Sequence, residues 1–165
     1  MLNKSKIALM GAIAAAGMVS TGANAATVNA DARVNILDAV VVTQTAILDF
    51  GVIAAASTSG TVTIAATTGA TTCSAGLACA GVPQRGAFTV RGANGLTINV
   101  TVDPSTTLGG GPGAPMNLVL NPSATSVVGA GATLVPFHVG GVLTVGAAQT
   151  AGTYTGTYNV SADYQ

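Results

Sequence analysis

The chain has 165 residues, of which 6% are charged and 49% hydrophobic, and its five basic and five acidic side chains balance. Five cations cannot build the basic face that displaces counterions from nucleic acid, so nucleic-acid binding is excluded. The high hydrophobicity argues against a disordered tail, and the lack of Glu argues against a charged coiled coil.

Residues 1–25 read as an export signal. Lys4 and Lys6 form a positive n-region, Ile7 to Val19 an uncharged apolar stretch, and Ala23-Asn24-Ala25 a small-residue cleavage site. A membrane anchor is the other reading of such a run, but this one is short, rich in Ala and Gly, and ends in a processing signal. Cleavage after Ala25 leaves 165 − 25 = 140 residues with no transmembrane segment expected in them. Both Lys residues leave with the signal. Arg33, Arg85 and Arg91 then face Asp31, Asp38, Asp49, Asp103 and Asp163, a balance of 3 − 5 = −2. Residues 26–165 are the size of one ordinary domain with a real core.

The dominant period from here on is two, the signature of strands buried on one side. Val28, Ala30, Ala32, Val34 and Ile36 alternate with Asn29, Asp31, Arg33 and Asn35. The stretch from Gly51 to Gln84 is uncharged and simple in composition, yet Thr61 to Ala65 alternates inside it. Cys73 and Cys79 close a small loop, and an even cysteine count in an exported chain predicts a disulfide. A redox C-x-x-C spacing is missing, and a metal site would need more ligands than one His allows.

Phe88 and Val90 flank Thr89. Gly92-Ala93-Asn94-Gly95 then gives a hairpin signal, followed by Leu96, Ile98, Val100 and Val102 alternating with polar residues. Asp103-Pro104, Asn121-Pro122 and Gly140-Gly141 read as punctuation. The Gly109 to Gly113 loop lacks the following Lys and Ser/Thr of a phosphate-binding loop. Leu118 and Leu120, Phe137 and Val139, and Leu143 and Val145 mark further strands. The last strand runs from Tyr154 to Tyr164, with Tyr154, Gly156, Tyr158, Val160, Ala162 and Tyr164 on its core face.

These elements predict an all-β chain, a sandwich or barrel. An outer-membrane barrel needs two aromatic girdles, and only Phe50, Phe88, Phe137, Tyr154, Tyr158 and Tyr164 are aromatic. No catalytic, metal or cofactor residues are expected. His138 is the only histidine and is expected to face solvent, and no G-x-S-x-G elbow accompanies it. The five Asp occupy ordinary strand and turn positions. The sequons at Asn99 and Asn159 fall inside predicted strands, where a chance match is the better reading.

The order of Leu48-Asp49-Phe50-Gly51-Val52-Ile53, Gly60-Thr-Val-Thr-Ile64, Ala87-Phe88-Thr89-Val90, Val139-Gly140-Gly141 and Gly152-Thr-Tyr154-Thr-Gly156-Thr-Tyr158 resembles a bacterial family of exported domains of unknown function, similar to the spore coat protein U and fimbrial-subunit group. The resemblance implies an immunoglobulin-like, fimbrial-type antiparallel β-sandwich. It implies a non-enzymatic structural subunit that passes through the periplasm to the surface of a Gram-negative-type bacterium. Self-assembly by strand exchange is implied, with a periplasmic chaperone and an outer-membrane usher as partners. In that scheme residues 26–36 form a donor strand with Val28, Ala30, Ala32, Val34 and Ile36 as knobs, and the Tyr154 to Tyr164 strand pairs with the chaperone. The alternative is a complete, self-contained sandwich acting as a monomeric binding module for a glycan or surface polymer. The mid-chain cysteines depart from the familiar pilin pattern.

Overall fold

The computed structural model describes residues 25–165. The predicted export signal lies outside the described residues, apart from Ala25. Two units are distinguished, divided after Val34. The described part of the first, residues 25–34, is extended chain that forms no strand. Its side chains are at the surface, with Val28 88% and Val34 79% exposed.

The second unit, Asn35–Gln165, is an antiparallel β-sandwich with no helix among the described residues. Its strands are β1 (Val41–Ala46), β2 (Val52–Ala54), β3 (Gly60–Ile64), β4 (Thr71–Cys73), β5 (Ala78–Ala80) and β6 (Gly86–Gly92). They continue as β7 (Thr97–Val102), β8 (Ser105–Leu108), β9 (Met116–Pro122), β10 (Ser126–Val128), β11 (Gly131–Val145) and β12 (Val160–Tyr164). A seven-stranded sheet runs β1-β6-β11-β3-β4, with β9 also paired to β11 and β8 to β9. A three-stranded sheet runs β10-β7-β12, and β2 pairs with β5.

Period two explains which side chains are inside. Ile98 and Val100 of β7, Leu118 and Leu120 of β9, and Val62 and Ile64 of β3 are buried, while Asn99 and Val119 between the first two pairs face out and Thr63 between the last is half-buried. They join Phe88, Val90, Phe137, Val139 and Leu143 in one core cluster, with the Phe88 and Phe137 rings stacked 5.2 Å apart. Each such side chain contributes about 1.5–3 kcal/mol on burial.

The pair Gly140-Gly141 is not a turn. Both residues are buried in the middle of the fifteen-residue β11. Before them β11 pairs with β6 up to Val139↔Gly86; after them it pairs with β3 from Gly141↔Ile64. The opposite edge carries β9 across both glycines. A Cβ on Gly140 would overlap the Ile64 carbonyl oxygen, and one on Gly141 would lie 2.6 Å from the Val119 carbonyl oxygen. Glycine here permits close backbone approach where the strand changes partner, the other meaning of Gly inside a strand.

Asn94-Gly95 is a turn, with Gly95 at φ +78°, but not a hairpin. Its flanking strands β6 and β7 belong to different sheets. The long strand expected from Tyr154 to Tyr164 is also shorter than its alternation suggests. Only Val160–Tyr164 forms a continuous ladder, with β7. The disulfide joins Cys73 of β4 to Cys79 of β5, tying the edge of the large sheet to the β2–β5 pair.

Candidate interaction groove

Two sheet edges are left unpaired side by side. β1 pairs only with β6, and β12 only with β7, so each ends its sheet. Between β1 and the C-terminal stretch lies an open groove of about 480 Å³. Val42, Gln44, Ile47 and Leu48 form one wall, Phe88 contributes to the lining, and Gly156 to Val160 form the other wall. Ile47 is 64% exposed, an apolar side chain held at the surface of the groove. Among the described residues no backbone hydrogen bond joins β1 to Gly156–Val160. Strand edges of this kind present free N–H and C=O groups to any extended chain.

The C-terminal wall is held from its other side. Gly109 and Thr155 exchange two backbone hydrogen bonds of 2.8 Å. Thr106 Oγ1 donates to the Thr157 carbonyl at 2.7 Å. Asp103 Oδ2 accepts from the Asn159 backbone N–H at 2.7 Å and from Asn159 Nδ2 at 3.0 Å. These contacts replace a regular ladder and explain why alternation persists there without one. Tyr154, Tyr158, Val160, Ala162 and Tyr164 are all half-buried against the core, while Thr155, Thr157, Asn159, Ser161 and Asp163 are exposed.

Each tyrosine has a distinct setting. Tyr154 Oη accepts the Gly113 N–H at 2.9 Å and donates to the Thr150 carbonyl at 2.8 Å, anchoring the Gly-rich loop. Tyr158 meets Phe88 edge-on at 6.3 Å, and its hydroxyl is buried with no partner among the described residues. That burial pushes the Tyr158 phenol above its ordinary pKa. Tyr164 Oη accepts the Ala93 N–H at 2.6 Å and donates to the Asp38 carbonyl at 2.7 Å.

The remaining candidates are separate from the groove. His138 is half-buried rather than fully solvent-facing. Burial, and then the Arg85 charge, push its pKa below the ordinary value. Arg85 itself donates to the carbonyls of Ala66 and Thr67. Asp49 Oδ1 accepts the Gly51 N–H at 2.8 Å, a local turn contact. Among the described residues no three His, Cys, Asp or Glu side chains group as a metal site. No helix among them is long and apolar enough to cross a membrane. The N-terminal residues Val28, Ala30, Ala32, Val34 and Ile36 are all exposed, and none lies in a strand.

A model of DUF4402, a domain of unknown function, matches residues 40–164. The chain belongs to this family. The match runs from the residue before β1 to the last residue of β12, so both walls of the groove are DUF4402 sequence and residues 27–36 are not. No curated protein and no solved structure matches the chain.

The β1 wall was hidden in the sequence, because Val40, Val41 and Val42 are consecutive and mask the alternation. The three valines in a row, β-branched and followed by Thr43, were the available strand signal.

Proposed function

We propose that the chain is an exported, non-enzymatic structural subunit, a fimbria-like or cell-surface component that assembles by strand donation. Residues 27–36 of one copy enter the groove between β1 and Gly156–Val160 of another. The observation that carries this reading is the groove between the unpaired edge of β1 and the ladder-free stretch Gly156–Val160, in a chain that also has an exposed, alternating N-terminal segment. An inserted strand gains backbone hydrogen bonds on its edges and seats alternate side chains in the groove.

The lengths are compatible. Ten extended residues span about 33 Å, and the seven from Val42 to Leu48 about 23 Å. Val28, Ala30, Ala32, Val34 and Ile36 supply small and medium apolar knobs toward Phe88, Tyr158 and Leu48. Asn29, Asp31, Arg33 and Asn35 face solvent. The export signal, passage through the periplasm, and a chaperone and usher that shield the groove before assembly belong to the same reading.

The test is electrophoretic. The purified mature protein, run with and without boiling in SDS, gives a ladder of multimers that collapses on boiling. Deleting Ala26 to Ile36 leaves a folded monomer and no ladder. An unassembled parent protein, or a deletion that unfolds the domain, supports the self-contained sandwich instead.

A further inference from the structure

From Ala26 onward the chain contains no Lys and only three Arg, namely Arg33, Arg85 and Arg91. Every bond in it that a protease specific for basic residues can cut therefore follows one of these three.

Two of them are closed. Arg85 is half-buried, and its guanidinium donates to the Ala66 carbonyl at 2.7 Å and to the Thr67 carbonyl. Its neighbours on both sides are paired: Gln84 exchanges two backbone hydrogen bonds with Asp49, and Gly86 lies opposite Val139 of β11. Arg91 lies within β6, opposite Val41 of β1, and Gly92 after it is buried opposite Gly131. A protease takes its substrate as an extended strand, by backbone pairing of the kind that adds a strand to a sheet edge. β6 has a partner on each side, so neither bond can be bound without opening the sheet.

Arg33 is open. It is exposed, in chain that forms no strand over residues 25–40, and Val34 on the far side of the bond is 79% exposed. Exposed, unpaired segments are where proteolytic nicking concentrates. The bond also divides the expected knobs: Val28, Ala30 and Ala32 precede it, and Val34 and Ile36 follow.

We propose that the Arg33–Val34 bond is a processing site for an arginine-specific endopeptidase, open in free subunits and closed in assembled ones. The inference rests on the strand-donation reading. Hydrolysis adds water across the bond, leaves a carboxylate on Arg33 and an amine on Val34, and consumes nothing else. It removes three of the five knobs and leaves the groove, whose lining begins at Val42, intact. A cut subunit can accept a strand and cannot donate one, so it ends a growing assembly. Once the segment is seated in another copy, its backbone edges are taken. The protease and the groove compete for the same extended chain.

The probe is trypsin, applied to the purified mature protein before and after assembly. Intact-mass spectrometry and electrophoresis with and without boiling in SDS give the readouts. Free subunits are cut once, after Arg33. Cuts after Arg85 and Arg91 are slower by at least about a thousandfold, because they follow the population of unfolded domain. Cut subunits form no ladder, and added to uncut protein they shorten its ladder. In SDS-resistant multimers the cut after Arg33 is lost. Arg33→Gln, at an exposed position, keeps the ladder and abolishes the effect of trypsin on it.

Free subunits that resist cutting after Arg33, or multimers cut there as fast as free subunits, overturn the processing site. A ladder that vanishes on deletion of Ala26 to Ile36 then leaves strand donation standing. A ladder that forms equally well from fully cut protein, or no ladder from uncut protein, overturns strand donation and the conditional site with it.

Discussion

Replacing Tyr158 by Phe removes one oxygen and leaves the ring. The hydroxyl it removes is buried beside Phe88 and Gly86 and has no partner among the described residues. A buried polar group left unsatisfied costs about 1–3 kcal/mol, and the edge-on contact with Phe88 survives the change. Tyr158→Phe is therefore expected to stabilise the domain by about 1 kcal/mol, raising Tm by roughly 3 °C. Urea unfolding followed by circular dichroism measures this, with an unchanged m-value showing that the native state is the same. The pH dependence gives an independent check. The folded-state pKa of Tyr158 is raised by burial, so the unfolded chain loses that proton first. The associated stability is fully present below about pH 10, the ordinary tyrosine value, and is lost as the pH rises through the folded-state value. In Tyr158→Phe this part of the alkaline loss disappears. A Cβ at Gly86 would lie 2.8 Å from the Tyr158 hydroxyl, so Gly86→Ala should do less damage when combined with Tyr158→Phe than alone. A Tyr158→Phe variant less stable than the parent by about 1 kcal/mol or more, with the alkaline limb unaltered, would refute the reasoning and show that the hydroxyl is satisfied by ordered water.

Three further changes probe other parts of the fold. Cys73→Ala with Cys79→Ala should cost about 2 kcal/mol, the chain-entropy value for a loop this short, measured by urea unfolding without reductant. Gly140→Ala should prevent folding or lower Tm by roughly 10 °C or more, because its Cβ would overlap the Ile64 carbonyl oxygen; ordinary expression and melting would contradict the close packing of β11 on β3. His138 has its folded-state pKa lowered by burial and by Arg85, so the unfolded chain protonates it first. Its contribution is present above about pH 6.5 and is lost as the pH falls through the folded-state value. The difference in stability between the parent and His138→Gln should accordingly change across this acidic range, as followed by thermal melts from about pH 4 to about pH 8.

The strands that carry the core were legible wherever one face is buried and the other wet. Ile98, Val100 and Val102 against Asn99 and Thr101 give β7, and Leu118 and Leu120 against Val119 give β9, because burial on one face imposes alternation on the sequence. Partnering was less legible. Alternation from Tyr154 to Tyr164 states which side chains face the core, but only Val160–Tyr164 finds a ladder partner. Gly140-Gly141 misleads because glycine marks both turns and close backbone contacts, and the residues that decide between them, Ile64 and Val119, are remote in sequence. Asn94-Gly95 misleads in the same way: it fixes a local turn and says nothing of whether the chain returns to its own sheet. The groove was the least accessible feature, since its walls lie more than a hundred residues apart and one of them, β1, shows no clear period.

The change of partner along β11 bears on how the domain comes apart. Its first half completes the ladder with β6 and its second half the ladder with β3, while β9 spans the junction. Neither half of the large sheet can release its chain without stripping hydrogen bonds from the strand that serves the other. Local opening should therefore spread across the two Gly residues instead of stopping there, and amide exchange at Phe137 and Leu143 should report one common opening free energy. A single strand that changes partner at Gly140-Gly141 makes the two halves of the large sheet one cooperative unit.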